Sequence, residues 1–315
     1  MVLVADKTTG GGHKDISGED FITVFRLTKS EPQYAKLTST RTANENVEIT
    51  FTKTDSETGK PLQGVEVDFY RDDVKFSSGI SDASGVARST SIQTFSATSG
   101  EKEYCTNYDD LDEEGRQAVA SKGAYKNLVE AQSAADSEAQ LKANELASQT
   151  HHFSVVETKA KVKYWLNNDN KTVSDSITGS GTLNLSLTNE RVTGSAILVK
   201  EDKDVKRPQN EAEIDGALYG LYARENILDP ADASIIYHAG DEITRVRIKD
   251  STARVDNLYL GGYFWQEITS STGYSLNPNK ENFDLKYADQ TVKTVTSKST
   301  SKEAVYVGDF EIEKI

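Results

Sequence analysis

Lys53, Glu157 and Asn189 each close a run of alternating apolar residues. Val47, Ile49 and Phe51 lead to Lys53, Phe153 and Val155 lead to Glu157, and Leu183, Leu185 and Leu187 lead to Asn189. Side chains of a β-strand alternate between its two faces, so each polar residue shares the face of the hydrophobes before it and points toward a core. A lysine, a carboxyl and a carboxamide are unfavourable to bury one at a time. Brought together, they are the reactants and catalyst of an amide exchange. An amine is nucleophilic only when neutral, and a free lysine, with a pKa of about 10.4, is almost wholly charged at pH 7. Burial disfavours the ammonium. Glu157 then polarises the Asn189 carbonyl and relays protons to the departing ammonia, while contact between amine and carboxamide supplies an effective molarity of ~10⁵ M or more. The expected product is a Lys53–Asn189 isopeptide bond, formed once per molecule without turnover.

A weaker copy of the constellation follows. Lys200 shares the parity of Leu198, and Glu267 that of Tyr263 and Trp265. The stretch from Thr291 to Glu303, which should supply the acceptor, contains no Asn. Asp309, in parity with Val305 and Val307, is the candidate, giving a Lys200–Asp309 bond with Glu267 as the relay. Its place in the repeat corresponds to Ser195 and not to Asn189, so a second half without a crosslink stands as the other reading.

The positioning elements are duplicated too. Lys53 is followed by Asp55, a polar turn and the run from Gly64 to Arg71; Lys200 is followed by Asp202, a polar loop and the run from Gly216 to Arg224. Glu157 precedes Tyr164-Trp-Leu-Asn167 by seven residues, and Glu267 precedes Tyr274-Ser-Leu-Asn277 at the same distance. Two order-preserving matches indicate two copies of one module, 47–193 and 194–315. Short runs rich in Val, Ile, Thr, Tyr and Phe between Gly, Asn, Asp and Ser turns predict mainly β structure, two tandem Ig-like antiparallel β-sandwich domains. Expected strands include Glu66–Arg71, Val162–Leu166, Thr182–Thr188, Leu218–Ala223, Ile243–Ile248, Tyr263–Glu267 and Asn282–Tyr287.

One stretch, 107–148, reads as an α-helical insertion in the first module. Asp109 to Glu114 offer acidic N-terminal capping. Ala124, Leu128, Ala131 and Ala135, then Leu141, Ala143, Leu146 and Ala147, recur at helical spacing. Gly115 and Gly123 are expected to divide it into a short and a long helix. Residues 1–46 form an N-terminal linker and strand segment, with strand-like text at Asp20–Arg26 and Tyr34–Thr42 and an opening too short in apolar residues for a signal peptide. At the other end, Gly308 to Ile315 resembles the Gly194–Lys200 junction, with Lys314 in the place of Lys200, so the chain is expected to run on toward a further module.

Composition narrows the function. Of 315 residues only 36% are apolar, and the net charge of −14 disfavours nucleic-acid and anionic-membrane partners, which require a basic face. No apolar run approaches the ~20 residues of a membrane span. The single Cys105 permits no intrachain disulfide. His151 and His152 lack further ligands, and the acidic turns at Asp109–Glu114 and Asp229–Asp232 lack a Gly-centred calcium register, so no metal and no cofactor is expected. No phosphate loop, nucleophile elbow or Cys–His pairing appears, and the chain is read as not an enzyme.

These motifs resemble the Cna B-type (SpaA-like, prealbumin-fold) domains of Gram-positive surface adhesins and pilins. The matching text is Thr52-Lys-Thr-Asp-Ser-Glu-Thr-Gly-Lys-Pro-Leu-Gln-Gly64, His152-Phe-Ser-Val-Val-Glu157, Tyr263-Phe-Trp-Gln-Glu267 with Gly273-Tyr-Ser-Leu276, and Leu185-Ser-Leu-Thr-Asn-Glu190. It covers most of 47–315 apart from the insertion. The resemblance implies an extracellular, cell-wall-anchored adhesin or pilin stalk whose modules carry self-formed Lys–Asn or Lys–Asp bonds. The implied partners are neighbouring modules of the same chain or a host extracellular-matrix or cell-surface ligand, with the insertion as the alternative ligand-binding surface.

Overall fold

A computed structural model of the protein describes residues 30–205, 207–209 and 212–306. The elements run β1 (Tyr34–Leu37), β2 (Thr40–Asp55), β3 (Glu66–Arg71), β4 (Val74–Ile80), β5 (Val86–Thr98) and β6 (Lys102–Cys105), then a 3-10 turn at Tyr108–Asp110, α1 (Glu113–Lys122) and α2 (Leu128–Ala147). They continue with β7 (Thr150–Lys159), β8 (Thr172–Thr178), β9 (Gly181–Asn189), β10 (Thr193–Asp202), β11 (Leu218–Ala223), β12 (Ile227–Leu228) and β13 (Ile235–Tyr237). The last are β14 (Glu242–Arg247), β15 (Thr252–Leu258), β16 (Gly261–Thr269), β17 (Lys280–Leu285) and β18 (Thr294–Glu303). The described chain forms two compact units, one of residues 30–44 and 94–147, the other of 45–93 and 148–306.

The larger unit holds two β-sandwiches built to one plan. The first faces a sheet ordered β5-β2-β9 with one ordered β4-β3-β7-β8; the second repeats this as β15-β10-β18 and β14-β11-β16-β17. Strict alternation on β2 buries every odd residue from Glu45 to Asp55. Val47, Ile49, Phe51, Phe69, Phe153, Val155, Leu183 and Leu185 form the first core. Leu198, Tyr219, Leu221, Tyr263, Trp265 and Phe283 anchor the second. The four-stranded sheets are antiparallel. The expected all-antiparallel pairing fails at one place in each sandwich, where β2 runs parallel to β9 and β10 parallel to β18. The chain thus enters each sandwich at one end and leaves at the other.

Two further expectations are corrected. Val162–Leu166 is not a strand: it is a turn with Lys163 at φ 68° and an isolated bridge between Tyr164 and Arg191. Tyr164 and Leu166 are both buried, which gives the segment strand-like spacing without a ladder. In the smaller unit, Gly115 does not divide two helices. It lies in the first turn of α1, where its N–H donates to the capping Asp112 Oδ1 at 2.8 Å. Gly123 does end α1, in the left-handed conformation at φ 74° that glycine adopts without strain.

The buried face of α2 is alanine alone. Ala131, Ala135, Ala139, Ala143 and Ala147 recur every four residues and are buried, whereas Leu128 and Leu141, counted into the apolar face from sequence, are 50% and 70% exposed. Small side chains let α2 lie close along β6 and β1, which pair with each other. Glu138 ties it there, accepting from the Gly100 N–H and from Lys102 and Lys142, contacts that hold its carboxyl down at about 2. Lys53, Glu157 and Asn189 all belong to the other unit. Replacing residues 99–148 with a short Gly/Ser loop is therefore expected to leave the first sandwich folded and its three polar groups in place. Circular dichroism and amide exchange of the excised protein check this; loss of protection on β2, β7 and β9 would show the helices to be part of that core.

Candidate functional site

The first constellation assembles as the alternations require. Lys53 on β2 pairs with Leu187 of the parallel β9, and Asn189, two residues on, pairs with Asp55. Glu157 reaches in from β7 in the facing sheet, where it pairs with Val67 of β3. Lys53 is 0% exposed, Glu157 1% and Asn189 4%. Lys53 Nζ donates to Glu157 Oε2 at 2.6 Å and to the Thr188 carbonyl at 3.3 Å. Asn189 Nδ2 donates to Glu157 Oε1 at 2.6 Å. One buried carboxyl therefore bridges amine and carboxamide, each oxygen taken by one of the two.

The backbone around Lys53 is held as tightly. Its N–H donates to the Gly85 carbonyl at 2.8 Å and its carbonyl accepts from the Leu62 N–H at 3.0 Å. Gly85 sits at φ +75°, and a Cβ there would lie 2.4 Å from the Lys53 carbonyl oxygen, so this approach requires glycine. Burial pushes the Lys53 ammonium below its ordinary pKa of 10.5, against the opposing charge and hydrogen bond of Glu157.

That shift has a kinetic sign. The neutral amine is the nucleophile, and a lowered pKa increases its fraction at any pH below 10.5. Bond formation in freshly refolded protein should accelerate with rising pH and level off before pH 10.5. Time-resolved mass spectrometry checks the profile; a rate still climbing through that value would mean that Lys53 titrates like an exposed lysine.

Sequence reading did not pair Asp55 with Tyr164, which close one end of the site. Tyr164 Oη donates to Asp55 Oδ2 at 2.6 Å, and the Glu57 and Thr58 N–H groups donate to Oδ1 at 2.8 and 2.7 Å. Burial alone would raise the Asp55 carboxyl; the bonds from Tyr164 and the two amides outweigh it and hold the group below its ordinary value. The pairing repeats in the second sandwich, where Tyr274 Oη donates to Asp202 Oδ2 at 3.1 Å. The duplicated Lys-x-Asp and the Tyr seven residues after each Glu carried that signal.

In the second sandwich Lys200 and Glu267 meet as expected. Lys200 Nζ donates to Glu267 Oε1 and to Ser271 Oγ, both at 2.9 Å, with both charged side chains 0% exposed. Asp309 and Lys314 lie outside the described residues. Two other groups, which the sequence reading missed, do reach this site. Asn277 gives its backbone N–H to Glu267 Oε2 at 2.8 Å and its Nδ2 to Glu303 Oε1 at 3.2 Å. Glu303 itself is 1% exposed.

His151, weighed from sequence as a metal ligand, lies 2.6 Å from Asp72 through Nδ1. Among the described residues no group of three or more His, Cys, Asp or Glu side chains is placed to hold a metal ion. No described helix is long and apolar enough to cross a membrane.

No protein-family model matches the sequence, and no curated protein matches it. Among solved structures, the chain is similar to the Bacillus anthracis TIE protein, at 16% identity and a TM-score of 0.49, over 83% of this chain and 34% of that one. It is similar also to the shaft pilin SpaA from Lactobacillus rhamnosus GG, at 13% identity and a TM-score of 0.28, over 85% of this chain and 100% of that one. A third is GBS52, the minor pilin of the Gram-positive pathogen Streptococcus agalactiae, at 13% identity and a TM-score of 0.28, over 85% and 99% of the two chains. The chain spans about a third of the length of the TIE protein.

Proposed function

We propose that this chain is a structural segment of an extracellular, wall-anchored surface protein, an adhesin or pilin stalk, whose first sandwich staples itself through a Lys53–Asn189 isopeptide bond. The observation that carries the reading is Glu157, whose two oxygens bind Lys53 and Asn189 at 2.6 Å each inside an apolar core. Attack of Nζ on the Asn189 carboxamide carbon forms the C–N bond. Glu157 moves a proton from the amine to the carboxamide nitrogen, the C–N bond to that nitrogen breaks, and ammonia leaves. Product and reactants balance as one amine and one primary amide giving one secondary amide and ammonia. Nothing turns over, so the chemistry is maturation and the role is structural. Module boundaries at 47–193 and 194–315 belong to the same reading.

The parallel pairing gives the bond a mechanical use. Lys53 and Asn189 lie on β2 and β9, adjacent strands that run in the same direction. A covalent link between them passes tension from the strand entering the sandwich to the strand leaving it, and the loop between is not stretched. Pulling single molecules by their ends tests this. The stretch from Lys53 to Asn189 should contribute none of the roughly 450 Å of contour that its extended chain would supply at about 3.3–3.6 Å per residue. Appearance of that length in the wild-type protein would contradict the reading.

A further inference from the structure

Strand register places an acceptor in the second sandwich that the sequence pattern did not reveal. In the first sandwich, Asp55, two residues after Lys53, pairs with Asn189. In the second, Asp202, two residues after Lys200, pairs with Glu303 on the equally parallel β18. Glu303 thus occupies the place of Asn189, on the central three-stranded ladder and facing the core, 1% exposed. Its carboxyl is unlike the other buried carboxyls of the site. Oε1 accepts three donors: Ser301 Oγ at 2.5 Å, Tyr219 Oη at 2.7 Å and Asn277 Nδ2 at 3.2 Å. Oε2 is buried and has no hydrogen-bond partner among the described residues.

That asymmetry fits acyl chemistry. Three donors converge on the oxygen that gains negative charge when a nucleophile adds to the carboxyl carbon. Burial pushes the Tyr219 phenol above its ordinary pKa, which keeps it a donor. The unbound oxygen is free to depart. Lys200 is the buried amine of the same site, joined to Glu303 through Glu267 and Asn277, and Glu267, which it contacts at 2.9 Å, is the proton carrier. Asn277 links the two halves of the site, since its N–H binds Glu267 and its Nδ2 binds Glu303.

Resting on the self-crosslinking reading above, we propose that the second sandwich closes its own isopeptide bond between Lys200 Nζ and the Glu303 side-chain carboxyl. The amine exchanges its Ser271 contact for Glu303 Cδ; glutamate, one methylene longer than asparagine, carries the acceptor farther from its strand. Neutral Nζ adds to Cδ of the carboxylic acid, forming the C–N bond and moving the carbonyl electron pair to Oε1. Glu267 takes a proton from the nitrogen and delivers it to Oε2, the C–Oε2 bond breaks, and water leaves. One amine and one carboxylic acid give one amide and one water, with no oxidant or co-reactant.

Peptide mapping of the full chain by mass spectrometry tests this without any variant. The expected product is a branched peptide joining the Lys200 and Glu303 segments, lighter than their sum by one water. In Glu303→Gln the same branch should form with ammonia lost in place of water, and Glu303→Ala should yield only linear peptides. Wild-type protein with Lys200 and Glu303 in unmodified linear peptides would overturn the proposal, as would a branch from Lys200 to Asp309 or Asn277. The same digest reads the Lys53–Asn189 branch separately. That branch alone overturns the Glu303 assignment and leaves the first sandwich's bond standing; the Lys200–Glu303 branch alone does the reverse; neither branch overturns both.

Discussion

Replacing Glu157 with alanine is expected to leave Lys53 and Asn189 unjoined, so that the protein keeps the ammonia it would otherwise lose. The proposed bond would close a loop of 137 residues from Lys53 to Asn189. On the chain-entropy account of crosslinks, its absence removes about 5 kcal/mol of constraint on the unfolded chain. Loss of the carboxyl also strands a lysine that is 0% exposed, which for a buried pair adds about 3–5 kcal/mol. The first sandwich should therefore unfold far below the wild-type temperature, and Asn189→Ala, which removes the crosslink but leaves the Lys53–Glu157 contact, should fall between the two. Calorimetry of the three proteins checks the order. An Asn189→Ala variant as stable as the wild type would mean that no covalent constraint exists.

The second large effect is expected at Glu267. Lys200 and Glu267 are both fully buried and 2.9 Å apart, and the only other hydrogen bond to Lys200 Nζ among the described residues is Ser271 Oγ. Glu267→Ala leaves an ammonium in a core lined by Trp265 and Tyr219, at a cost of about 3–5 kcal/mol before any crosslink is considered. Glu267→Gln keeps volume and one acceptor and should cost less. Urea titration that resolves the second sandwich's transition measures both. A loss below about 1 kcal/mol in the alanine variant would show that Lys200 finds another partner.

The legible parts of this fold are those where hydrophobic period and polar chemistry agree. Val47, Ile49 and Phe51 fix the parity of Lys53 because all four lie on one buried face of a regular strand. The same holds for Glu157 on β7 and Asn189 on β9. Glu303 was not legible, because the core-facing positions before it on β18 are Val295, Ser297, Ser299 and Ser301, too polar to announce a buried strand. Its role follows only from pairing with β10, a contact between segments a hundred residues apart. Asn277 was missed for a related reason: it reaches Glu267 from a loop, with its Oδ1 held by the Asn279 N–H at 3.0 Å. On α2 the helical spacing placed Leu128 and Leu141 on one face with the alanines, but close packing buries alanine alone. In Val162–Leu166 the period of two holds in burial only at Tyr164 and Leu166, with Val162 63% exposed, and fails in the backbone, since Lys163 turns the chain.

The most direct measurement is the peptide map of the folded wild-type chain around Lys53. A branched peptide in which Lys53 Nζ is joined to the Asn189 side chain, lighter by one ammonia than its two segments and absent from Glu157→Ala, is the result the geometry predicts. Recovery of Lys53 and Asn189 in separate linear peptides of unmodified mass, from protein shown to be folded, would contradict it.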